Sequence, residues 1–346
     1  MDSPRVSIIV LNWNGWRDTI ECLESLYQIG YPNYDVIVVD NGSADDSVRN
    51  LEMYAEGRIE VKSRFIKYNM NNKPISVMQH QTNEIDGIEF KRTEISASCS
   101  DRRLVLLRNE KNLGYAEGNN VGIRFALRVI DSDYVLLLNN DVVVAPDFLA
   151  QMISAAEALP EAGIFSPKIY FYGQPERIQW TWNRVELVRG SVFSPGTGEI
   201  DQGQFDEIAE TDYSQGVCFL IRRATIDSLG LFDSEFFCYS EESDYCFRAR
   251  KAGIKSIYVP KARIWHKVSQ SANKIDGFVL YYMTRNRFWF TKRHALPRQY
   301  LFFILYFFTV ELWKSCLILI ARRNSVHAWK SYLRGVLDGM KTGSKR

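Results

Sequence analysis

The chain repeats one pattern: an apolar run, a polar residue at its end, a loop rich in Gly or Asn, and then apolar residues at helical spacing. The pattern begins at "VSIIVLNWNG", returns at "VIVVDNGSADDSV" and appears again at "RLVLLRNEKNLGYAEGNNVGI". Successive units of this kind predict a mostly parallel, doubly wound α/β sheet flanked by helices. Ligands bind such sheets at the carboxyl ends of the strands, so the residues that close these runs are candidates for a site.

One apolar run, "LLLNNDVVV" at residues 136–144, breaks at Asn139, Asn140 and Asp141 and then resumes. Two amides and a carboxylate inside a buried strand are costly unless hydrogen bonds or a ligand satisfy them. The break is therefore either a turn or part of a site, and the stretch alone does not decide between the two.

The repeated pattern is interrupted between about residue 54 and residue 101, where the sequence is polar and weakly patterned. We interpret this stretch as an insertion, in which the partial alternation of "RIEVKSRFIKY" predicts a hairpin strand. Six cysteines without a C-x-x-C pair predict reduced thiols in a cytosolic protein. The first apolar stretch has no basic segment before it, which predicts a strand instead of a secretory signal.

Positive charge is concentrated in the C-terminal part of the chain. From Thr284 onward there are 13 Lys and Arg residues against two acids, although the whole chain carries a net charge of only +2. This asymmetry predicts an anionic partner for the tail, with a phospholipid surface as the first candidate and nucleic acid as the second. We expect the membrane and no nucleic-acid partner.

Two helices are predicted in this tail. Residues 300–321 are long enough to span a bilayer, but Glu311 and Lys314 lie in the middle, where each costs about 2.5–3.5 kcal/mol. The following "VHAWKSYLRGVLDGMK" predicts an amphipathic helix with Lys and Arg on its polar face, which favours a position on the membrane surface. Its apolar face comprises Val326, Trp329, Leu333, Val336, Leu337 and Met340. Packing of both helices on the body, or a homodimer through the tail, is the alternative.

Acids and a histidine lie near the ends of several predicted strands. Asp141 and His266 form an oxygen and nitrogen ligand pair that suits Mg²⁺ or Mn²⁺. Glu241, Glu242 and Asp244 crowd three acids at a helix start, and such crowding raises a carboxyl pKa, as a general base requires. Alone, each feature has an ordinary explanation as a turn residue or a helix-dipole partner. Their shared position at one edge of the sheet favours a site.

Six segments, in order along the chain, resemble the inverting glycosyltransferases of family 2, especially the rhamnosyltransferase and galactofuranosyltransferase-like branch. The segments are "VSIIVLNWNG", "VIVVDNGSADDSV", "NLGYAEGNNVGI", "LLLNNDVVV", "GVCFLIRRATIDSLGLFDSEFFCYSEESDYCFRARKAGI" and "IWH". The resemblance covers roughly residues 5–270 apart from the insertion. It implies a GT-A domain, Rossmann-like and mostly parallel, over residues 1–274, followed by a membrane-associating helical tail over residues 275–346.

The resemblance implies a nucleotide-sugar site formed by the loops that follow the strands. The residues assigned to donor binding are Asn12, Asn14, Asp40, Asn41, Gly114, Tyr115, Asn119 and Asn140. Asp40 would contact the base or the ribose of the nucleotide. Gly114, Tyr115 and Asn119 would line the nucleotide-sugar pocket.

The same resemblance places "NND" where the family has its D-x-D motif. Asp141 would then be the metal-binding carboxylate, Asn139 a neutral replacement for the first acid, and His266 a further ligand of Mg²⁺ or Mn²⁺. "SEESD" stands where the family has an acidic pair ahead of a further Asp, so Glu242 occupies the position of the general base. Because Glu is longer than the Asp of relatives, either the backbone compensates or Glu241 takes that role.

The implied reaction moves a sugar from a nucleoside-diphosphate sugar, dTDP-rhamnose or a UDP-sugar, to a hydroxyl of a lipid-linked or surface glycan. Such an enzyme would work on a polyprenyl-linked acceptor at the cytoplasmic face of the cell membrane. A nucleotidyltransferase of similar fold would need a basic, Gly-rich loop for a triphosphate, which "LNWNGWRD" is not. A non-catalytic nucleotide-sugar-binding protein would tolerate loss of the acids, and the presence of Asp141, Glu241, Glu242 and Asp244 weakens this alternative.

Overall fold

A mixed sheet of eleven strands forms the centre of the protein. The computed structural model describes residues 3–82, 103–267, 277–321 and 326–341. The strands β1 to β13 are Val6–Asn12, Tyr34–Asp40, Ser76–Gln81, Arg103–Arg108, Tyr134–Asn139, Val142–Val144, Ala162–Phe171, Gln174–Trp180, Arg184–Glu186, Ser191–Phe193, Ala209–Glu210, Cys218–Arg222 and Lys255–His266. The main sheet has the order β11-β13-β7-β12-β5-β1-β2-β4-β3, β6 pairs with β13, β8 pairs with β7, and β9 and β10 form a separate hairpin.

The parallel half of this sheet sets the position of the site. Strands β5, β1, β2, β4 and β3 are parallel neighbours, and the apolar runs of the first four are buried. In this register Asn12 lies beside Asp40, and Leu11 lies beside Asn139. Parallel strands end at the same edge of a sheet, so the polar residues that close three of the runs meet there. The predicted α/β sheet is confirmed.

Helices cover both faces of the sheet. The helices α1 to α10 are Trp16–Leu26, Ser47–Ala55, Gly114–Phe125, Phe148–Ala158, Arg223–Leu229, Glu241–Lys251, Gly277–His294, Pro297–Tyr306, Leu312–Ala321 and Val326–Met340. The side chains of β1 alternate between two cores. Ile8 and Val10 pack in one core with Leu23 of α1, whereas Ile9 packs in the other with Val121 of α3. The strand period of two thus gives the sheet two apolar faces, and each is buried by a layer of helices.

The segment between α2 and β3 is held by a buried carboxylate instead of by a strand ladder. The hairpin strand predicted over residues 58–68 is wrong, because no strand forms there. Glu24 of α1 accepts hydrogen bonds from Lys73 Nζ at 2.9 Å, from the Tyr54 hydroxyl at 2.8 Å and from the backbone N of Asn69 at 2.9 Å. These three donors satisfy a carboxylate that would otherwise be costly to bury. Residues 83–101 of the predicted insertion lie outside the described residues.

Helix α7 packs on the body of the protein and carries the remaining helices. Phe288 of α7 lies 5.3 Å from Phe303 of α8 and 4.7 Å from Phe307, measured between ring centroids. Gly335 of α10 allows close contact with α7, because a β-carbon there would lie 2.7 Å from the carbonyl oxygen of Tyr281. The aromatic cluster and the small residues explain why these helices lie against one another.

The C-terminal helices nevertheless leave many large apolar side chains exposed. Val336 of α10 is buried and Trp329 packs beside it, but the rest of the predicted apolar face of α10 is exposed. The exposed apolar residues of α8, α9 and α10 include Leu301, Phe302, Leu305, Trp313, Leu317, Ile318, Val326, Leu333, Leu337 and Met340. The continuous helix Pro297–Leu319 is long and apolar enough to cross a membrane, judged by length and composition. So many exposed apolar residues on adjacent helices are unusual for a monomeric soluble protein.

Candidate active site

The ends of β1 and β2 form one hydrogen-bonded unit at the edge of the sheet. Asn12 Nδ2 donates to Asp40 Oδ1 at 2.8 Å and to Ser43 Oγ at 3.2 Å, and Asn12 Oδ1 accepts from Thr19 Oγ1 at 2.8 Å. Ser43 Oγ also donates to Asp40 Oδ1 at 2.6 Å. Asn12 and Asp40 are both buried. The Asp40 carboxylate is thereby held in one orientation at the position where the sequence predicts a nucleotide.

Asn14 and Asn41 fix the loops beside this unit. Asn14 adopts the left-handed region at φ +52°, and its Oδ1 accepts from the backbone N of Ala44 at 2.8 Å. Asn41 Oδ1 accepts from Asn109 Nδ2 at 2.9 Å, and Asn41 Nδ2 donates to the carbonyl of Gly114 at 3.1 Å. The side-chain oxygens of Asn14 and Asn41 both accept hydrogen bonds from within the protein, so these residues shape the walls of the predicted nucleotide-sugar pocket.

Helix α3 begins at a position that requires glycine, and the tyrosine that follows is hydrogen-bonded to a neighbouring segment. Gly114 has φ +82°, and a β-carbon there would lie 2.6 Å from the carbonyl oxygen of Phe237. The Tyr115 hydroxyl donates to the carbonyl of Gly216 at 2.5 Å, and burial raises the pKa of this hydroxyl well above its ordinary value. Asn119 Nδ2 donates to the carbonyl of Tyr115 at 2.9 Å. These residues join α3 to the loop at Phe237 and to the segment at Gly216.

The break in "LLLNNDVVV" is a turn between β5 and β6, and its polar residues have different partners. Asn139 is half-buried at the end of β5, and its backbone N donates to the carbonyl of Val217 at 2.9 Å. Asn140 Nδ2 donates to Thr19 Oγ1 at 3.0 Å, which braces the turn against the start of α1. The Asp141 carboxylate lies beside His266. Turn and candidate site are therefore the same feature.

Strand pairing brings Asp141 to a histidine from the far end of the domain. Strand β6 pairs antiparallel with β13, with His266 opposite Val142. His266 Nε2 lies 3.2 Å from Asp141 Oδ1, and His266 Nδ1 lies 2.9 Å from Gln179 Oε1. Burial opposes ionisation of Asp141, but the hydrogen bond from His266 and the charge of Lys267 outweigh it and lower the pKa of the carboxyl group. Asp141 is therefore ionised at neutral pH.

Asp141 and His266 fit one side of a divalent-metal site. A hydrogen bond from Nδ1–H to Gln179 would leave Nε2 as the ligand atom, and a cation held by Nε2 and Asp141 would replace the hydrogen bond between them. Among the residues that the structure describes, no group of three His, Cys, Asp or Glu side chains is placed to hold a metal by itself. Mg²⁺ is commonly bound by one or two side chains together with waters and substrate phosphates. The pair thus suits an ion that binds together with a diphosphate.

Two carboxyl groups begin α6 on the same short segment. The Oε2 atoms of Glu241 and Glu242 are buried and have no hydrogen-bond partner in the described part of the chain. A β-carbon built on Gly216 would lie 3.8 Å from the carboxyl carbon of Glu242. Gly216 is followed by Val217, whose carbonyl accepts from the backbone N of Asn139. The acid pair and the "NND" turn therefore flank residues 216–217.

The surroundings act differently on the pKa values of these two carboxyl groups. Burial and then the charge of Glu242 raise the pKa of Glu241 well above its ordinary value. Burial also raises the pKa of Glu242, but backbone N–H groups at the start of α6 and the hydrogen bond from Glu241 oppose the rise. Two carboxyl groups this close disfavour being ionised together, so they titrate as a pair, and the N–H groups at the start of α6 favour the negative charge on Glu242. This difference favours Glu242 over Glu241 as a base.

Asp244, the third acid of the cluster, is occupied by three basic side chains. Its Oδ1 accepts from His294 Nε2 at 2.8 Å and from Arg293 at 3.0 Å, and its Oδ2 accepts from Arg248 Nε at 2.9 Å. Burial opposes ionisation, but these partners, His294 first, lower the pKa of Asp244. The carboxylate is fully buried and joins α6 to α7, while a catalytic role for Asp244 stays a prediction.

Asp244→Asn is expected to destabilise the protein. The change leaves Arg248, Arg293 and His294 around a neutral amide, and loss of one partner of a buried ion pair costs about 3–5 kcal/mol. Because the two guanidinium groups are partly exposed, we expect the lower end of this range, measured by urea unfolding. The control Asp227→Asn removes an exposed carboxylate and should change the unfolding free energy by less than about 1 kcal/mol. Equal unfolding midpoints for both variants would contradict the assignment.

Sequence reasoning missed Gln179 and the polar residues of α7. Gln179 lies on β8, where no pattern distinguishes it from any other polar strand residue. Helix α7 reads "YYMTRNRFWF", in which Arg285 and Asn286 stand among aromatic residues. Both are buried. A buried guanidinium and amide require partners, so this composition was a usable signal of a polar contact.

Two family models match the chain. The model described as "Glycosyltransferase like family 2" matches residues 91–287, and the model described as "Glycosyl transferase family 2" matches residues 7–76. The first match includes the "NND" turn, the acid pair and His266. The second includes the hydrogen-bonded unit of Asn12 and Asp40.

Individual proteins give the same grouping. The chain is 25% identical over 198 residues to the low-salt glycan biosynthesis hexosyltransferase of Haloferax volcanii. The aligned region covers 57% of this chain and 62% of that protein. It is 27% identical over 221 residues to the N-acetylglucosaminyl-diphospho-decaprenol L-rhamnosyltransferase of Mycobacterium tuberculosis, covering 58% and 69%. The chain therefore spans less than two thirds of the length of the archaeal protein.

Among solved structures, the mannosyltransferase of Pyrobaculum calidifontis in complex with GDP-Man and Mn²⁺ has the same fold. The two structures superpose with a TM-score of 0.55 at 16% sequence identity, over 98% of this chain and 86% of the other. At this identity the likeness concerns the arrangement of strands and helices, in agreement with the predicted GT-A architecture.

Proposed function

Because this chain belongs to glycosyltransferase family 2, we propose that it transfers a sugar from a nucleoside-diphosphate sugar to an acceptor hydroxyl, with inversion at the anomeric carbon. The observation that carries this proposal is the arrangement around residues 216–217. Glu242 of the buried acid pair lies close to Gly216, and the carbonyl of the next residue, Val217, accepts from the backbone N of Asn139 in the turn that bears Asp141. The acid pair of Glu241 and Glu242 suits proton transfer, and Asp141 with His266 suits a metal-bound diphosphate.

Glu242 is the proposed general base. The acceptor oxygen forms a bond to the anomeric carbon while the bond from that carbon to the diphosphate oxygen breaks, and the diphosphate leaves with the electron pair. Glu242 takes the hydroxyl proton through Oε2, which is buried and has no partner among the described residues. Glu241 keeps its own proton and donates to Glu242, which holds the base in one orientation.

Mg²⁺ or Mn²⁺ is the proposed cofactor, held by Asp141 and His266. Such an ion, when bound, neutralises the charge that develops on a departing diphosphate. Gln179 would keep the ring proton on Nδ1 of His266 and leave Nε2 for the ion. Asn139, at the end of β5, is the remaining proposed ligand. The Mn²⁺ in the Pyrobaculum calidifontis mannosyltransferase complex supports this choice of ion.

The proposed donor is dTDP-rhamnose or a UDP-sugar, and the proposed acceptor is a polyprenyl-linked glycan. The donor would lie between the unit of Asn12 and Asp40 and the wall formed by Gly114, Tyr115 and Asn119. The name of the mycobacterial relative describes transfer of L-rhamnose to a sugar linked to a polyprenyl diphosphate. That chemistry requires an active site beside a membrane, which agrees with the exposed apolar helices of this chain.

We propose that α8, α9 and α10 lie on the inner face of the cell membrane. Leu333 and Leu337 of α10 are 46% and 62% exposed, and they are flanked by the exposed basic residues Lys330, Arg334 and Lys341. A helix with an exposed apolar face and basic flanks binds to anionic bilayers. A homodimer through the same face is the alternative, and the absence of self-association in solution would exclude it.

Replacing Leu333 and Leu337 together by Glu is expected to weaken binding to vesicles that contain phosphatidylglycerol. Burial of a Leu side chain contributes about 1.5–3 kcal/mol, so loss of two should lower the partition coefficient roughly a hundredfold or more. Flotation measures the bound fraction, and sedimentation without lipid measures self-association. Ile208→Glu, at an apolar residue 55% exposed outside these helices, is the matched control and should bind normally. Equal binding of both variants, or a stable dimer without lipid, would contradict the membrane proposal.

A donor panel tests the proposed function directly. The protein is incubated with UDP-, GDP- and dTDP-sugars, Mg²⁺ or Mn²⁺, and a polyprenyl-diphosphate-linked acceptor, and the released nucleotide and the glycosylated lipid are measured. We expect release of nucleoside diphosphate coupled to sugar transfer from one donor class. Release of pyrophosphate from a nucleoside triphosphate would instead indicate a nucleotidyltransferase. Donor binding without turnover or hydrolysis would indicate a non-catalytic nucleotide-sugar-binding protein.

A further inference from the structure

The loop that leads to the acid pair, residues 236–240, has a strained backbone. Phe237, Tyr239 and Ser240 have φ values of +64°, +67° and +72°, although none of them is glycine. Each such residue costs about 1–3 kcal/mol and persists only where surrounding contacts enforce it. Glu241 and Glu242 follow the loop directly, so whatever enforces this conformation also sets where the two carboxyl groups lie.

Adjacent residues of α7 supply these contacts. Asn286 Nδ2 donates to the carbonyls of Phe236 at 3.0 Å, of Cys238 at 2.7 Å and of Tyr239 at 2.7 Å. Arg285 donates to the carbonyl of Phe236 at 2.9 Å, and its Nε donates to Asn286 Oδ1 at 2.8 Å. The second bond fixes which end of the Asn286 amide faces the loop, because the guanidinium can only donate. Asn286 is fully buried, so its donors have no access to water.

The opposite side of the loop contacts the predicted donor pocket. The carbonyl of Phe237 accepts from the backbone N of Ala116 at 3.1 Å, whereas the Phe237 ring stacks on Tyr282 of α7 at 5.1 Å between centroids. Gly114 allows this approach, because any side chain there would meet Phe237. The loop is thus held between α3, which lines the pocket, and α7, which carries the C-terminal helices.

We propose that Asn286 and Arg285 are positioning residues that hold the loop 236–240 in the conformation that directs Glu242 at the acceptor hydroxyl. This inference rests on the proposed function, in which Glu242 is the base. Further along α7, His294 and Arg293 bind Asp244 of α6. Helix α7 therefore holds the residues on either side of the acid pair in the sequence: the loop that precedes Glu241, and Asp244, which follows Glu242.

The test compares Asn286→Asp with Arg285→Lys and with a control on the same helix. Asn286→Asp keeps the shape of the side chain but replaces the donor group by an acceptor that faces carbonyl oxygens. Arg285→Lys keeps the charge but loses the planar fork that reaches the loop and Asn286 together. Arg287→Gln is the control, because Arg287 donates to the carbonyl of Arg189 outside the loop.

Transfer kinetics should separate the two classes of variant. An error of about 1 Å in the position of a reacting group costs on the order of a hundredfold in rate, so we expect kcat to fall by about that factor in Asn286→Asp. Arg285→Lys should show a smaller fall in kcat. The donor KM should stay unchanged in both, and Arg287→Gln should match the unaltered protein. Hydrogen–deuterium exchange of the peptide that contains residues 235–240 should be faster in the two loop variants alone.

The outcomes distinguish this inference from the proposed function. If the unaltered protein transfers sugar and Glu242→Gln does not, but Asn286→Asp and Arg285→Lys keep normal kcat, the positioning role is overturned and the function stands. Loss of folded structure in both variants, seen by circular dichroism, would make the two residues structural and would also overturn the inference. No transfer by the unaltered protein with any donor would overturn the function and the inference that depends on it.

Discussion

Glu242→Gln is expected to lower kcat by a factor of about 10²–10⁴, the usual contribution of a positioned general base, while the affinity for the donor stays close to normal. Gln has the shape of Glu but cannot accept the proton of an acceptor hydroxyl. In the proposed arrangement other residues hold the donor, so its binding should not depend on this carboxylate. Transfer assays give kcat, and calorimetric titration with the nucleoside-diphosphate sugar gives the donor affinity.

Glu241→Gln is the matched control for this prediction. Glu241 is proposed to hold a proton and to donate to Glu242, and the Gln amide can donate in the same way. We therefore expect kcat close to that of the unaltered protein. If Glu241→Gln is inactive while Glu242→Gln transfers sugar normally, the roles of the two residues are exchanged.

The pH dependence of the unaltered enzyme gives a second measure of the same assignment. Burial raises the pKa of Glu242 above the ordinary value of 4.5, and a base acts only when it is ionised. The transfer rate should therefore fall as pH decreases, and the fall should begin at a higher pH than for an exposed Glu. An acidic limb at the position expected for an exposed Glu would contradict a buried base.

Asp141→Asn is expected to give the second large effect, a loss of Mn²⁺ affinity together with a loss of transfer. The amide keeps the volume of the side chain but removes the charge that, with His266, would hold the ion. Loss of a group that only supports a metal ligand costs about 10–100-fold in affinity, and loss of the ligand itself should cost more. Electron paramagnetic resonance of Mn²⁺ in the presence of a nucleoside diphosphate measures affinity independently of turnover.

Two further variants make this result specific. Gln179→Leu removes the hydrogen bond to His266 Nδ1 and should lower Mn²⁺ affinity by about 10–100-fold, less than Asp141→Asn. Asp147→Asn removes an exposed acid near the same turn and should leave Mn²⁺ binding unchanged. If Asp141→Asn and Asp147→Asn bind the ion equally well, Asp141 is not a ligand, and its contact with His266 is a structural ion pair.

Much of the fold follows from local patterns. The repeated apolar runs that end in Asn or Asp predict parallel strands whose carboxyl ends share one edge, and β1, β2 and β5 meet in that way. The segment at 58–68 shows the weakness of such reasoning, because its partial alternation predicts a strand that does not form. Its position depends on Glu24, a buried carboxylate in another helix, and no local pattern contains that contact.

In the acid cluster, too, the sequence shows the residues, but tertiary contacts decide their roles. Three acids in four residues are visible in the sequence, but their roles differ because their neighbours differ. Glu241 and Glu242 share a buried environment that raises the pKa of both, whereas Asp244, in the same first turn of α6, meets His294 and Arg293 of α7. A helix turn separates neighbouring side chains by direction, and only the packing of α7 decides which acid is neutralised.

By itself, the sequence "LLLNNDVVV" determined that a buried strand is interrupted at its polar residues, as a turn or as part of a site, because amides and a carboxylate cannot remain unpaired inside a strand. Which partners the side chains of the turn have was decided by tertiary structure. The antiparallel register of β6 with β13 sets His266 beside Asp141, while Asn140 turns to Thr19. Local periodicity fixes which residues are apolar and which end a strand, but contacts between distant segments depend on how whole strands pair.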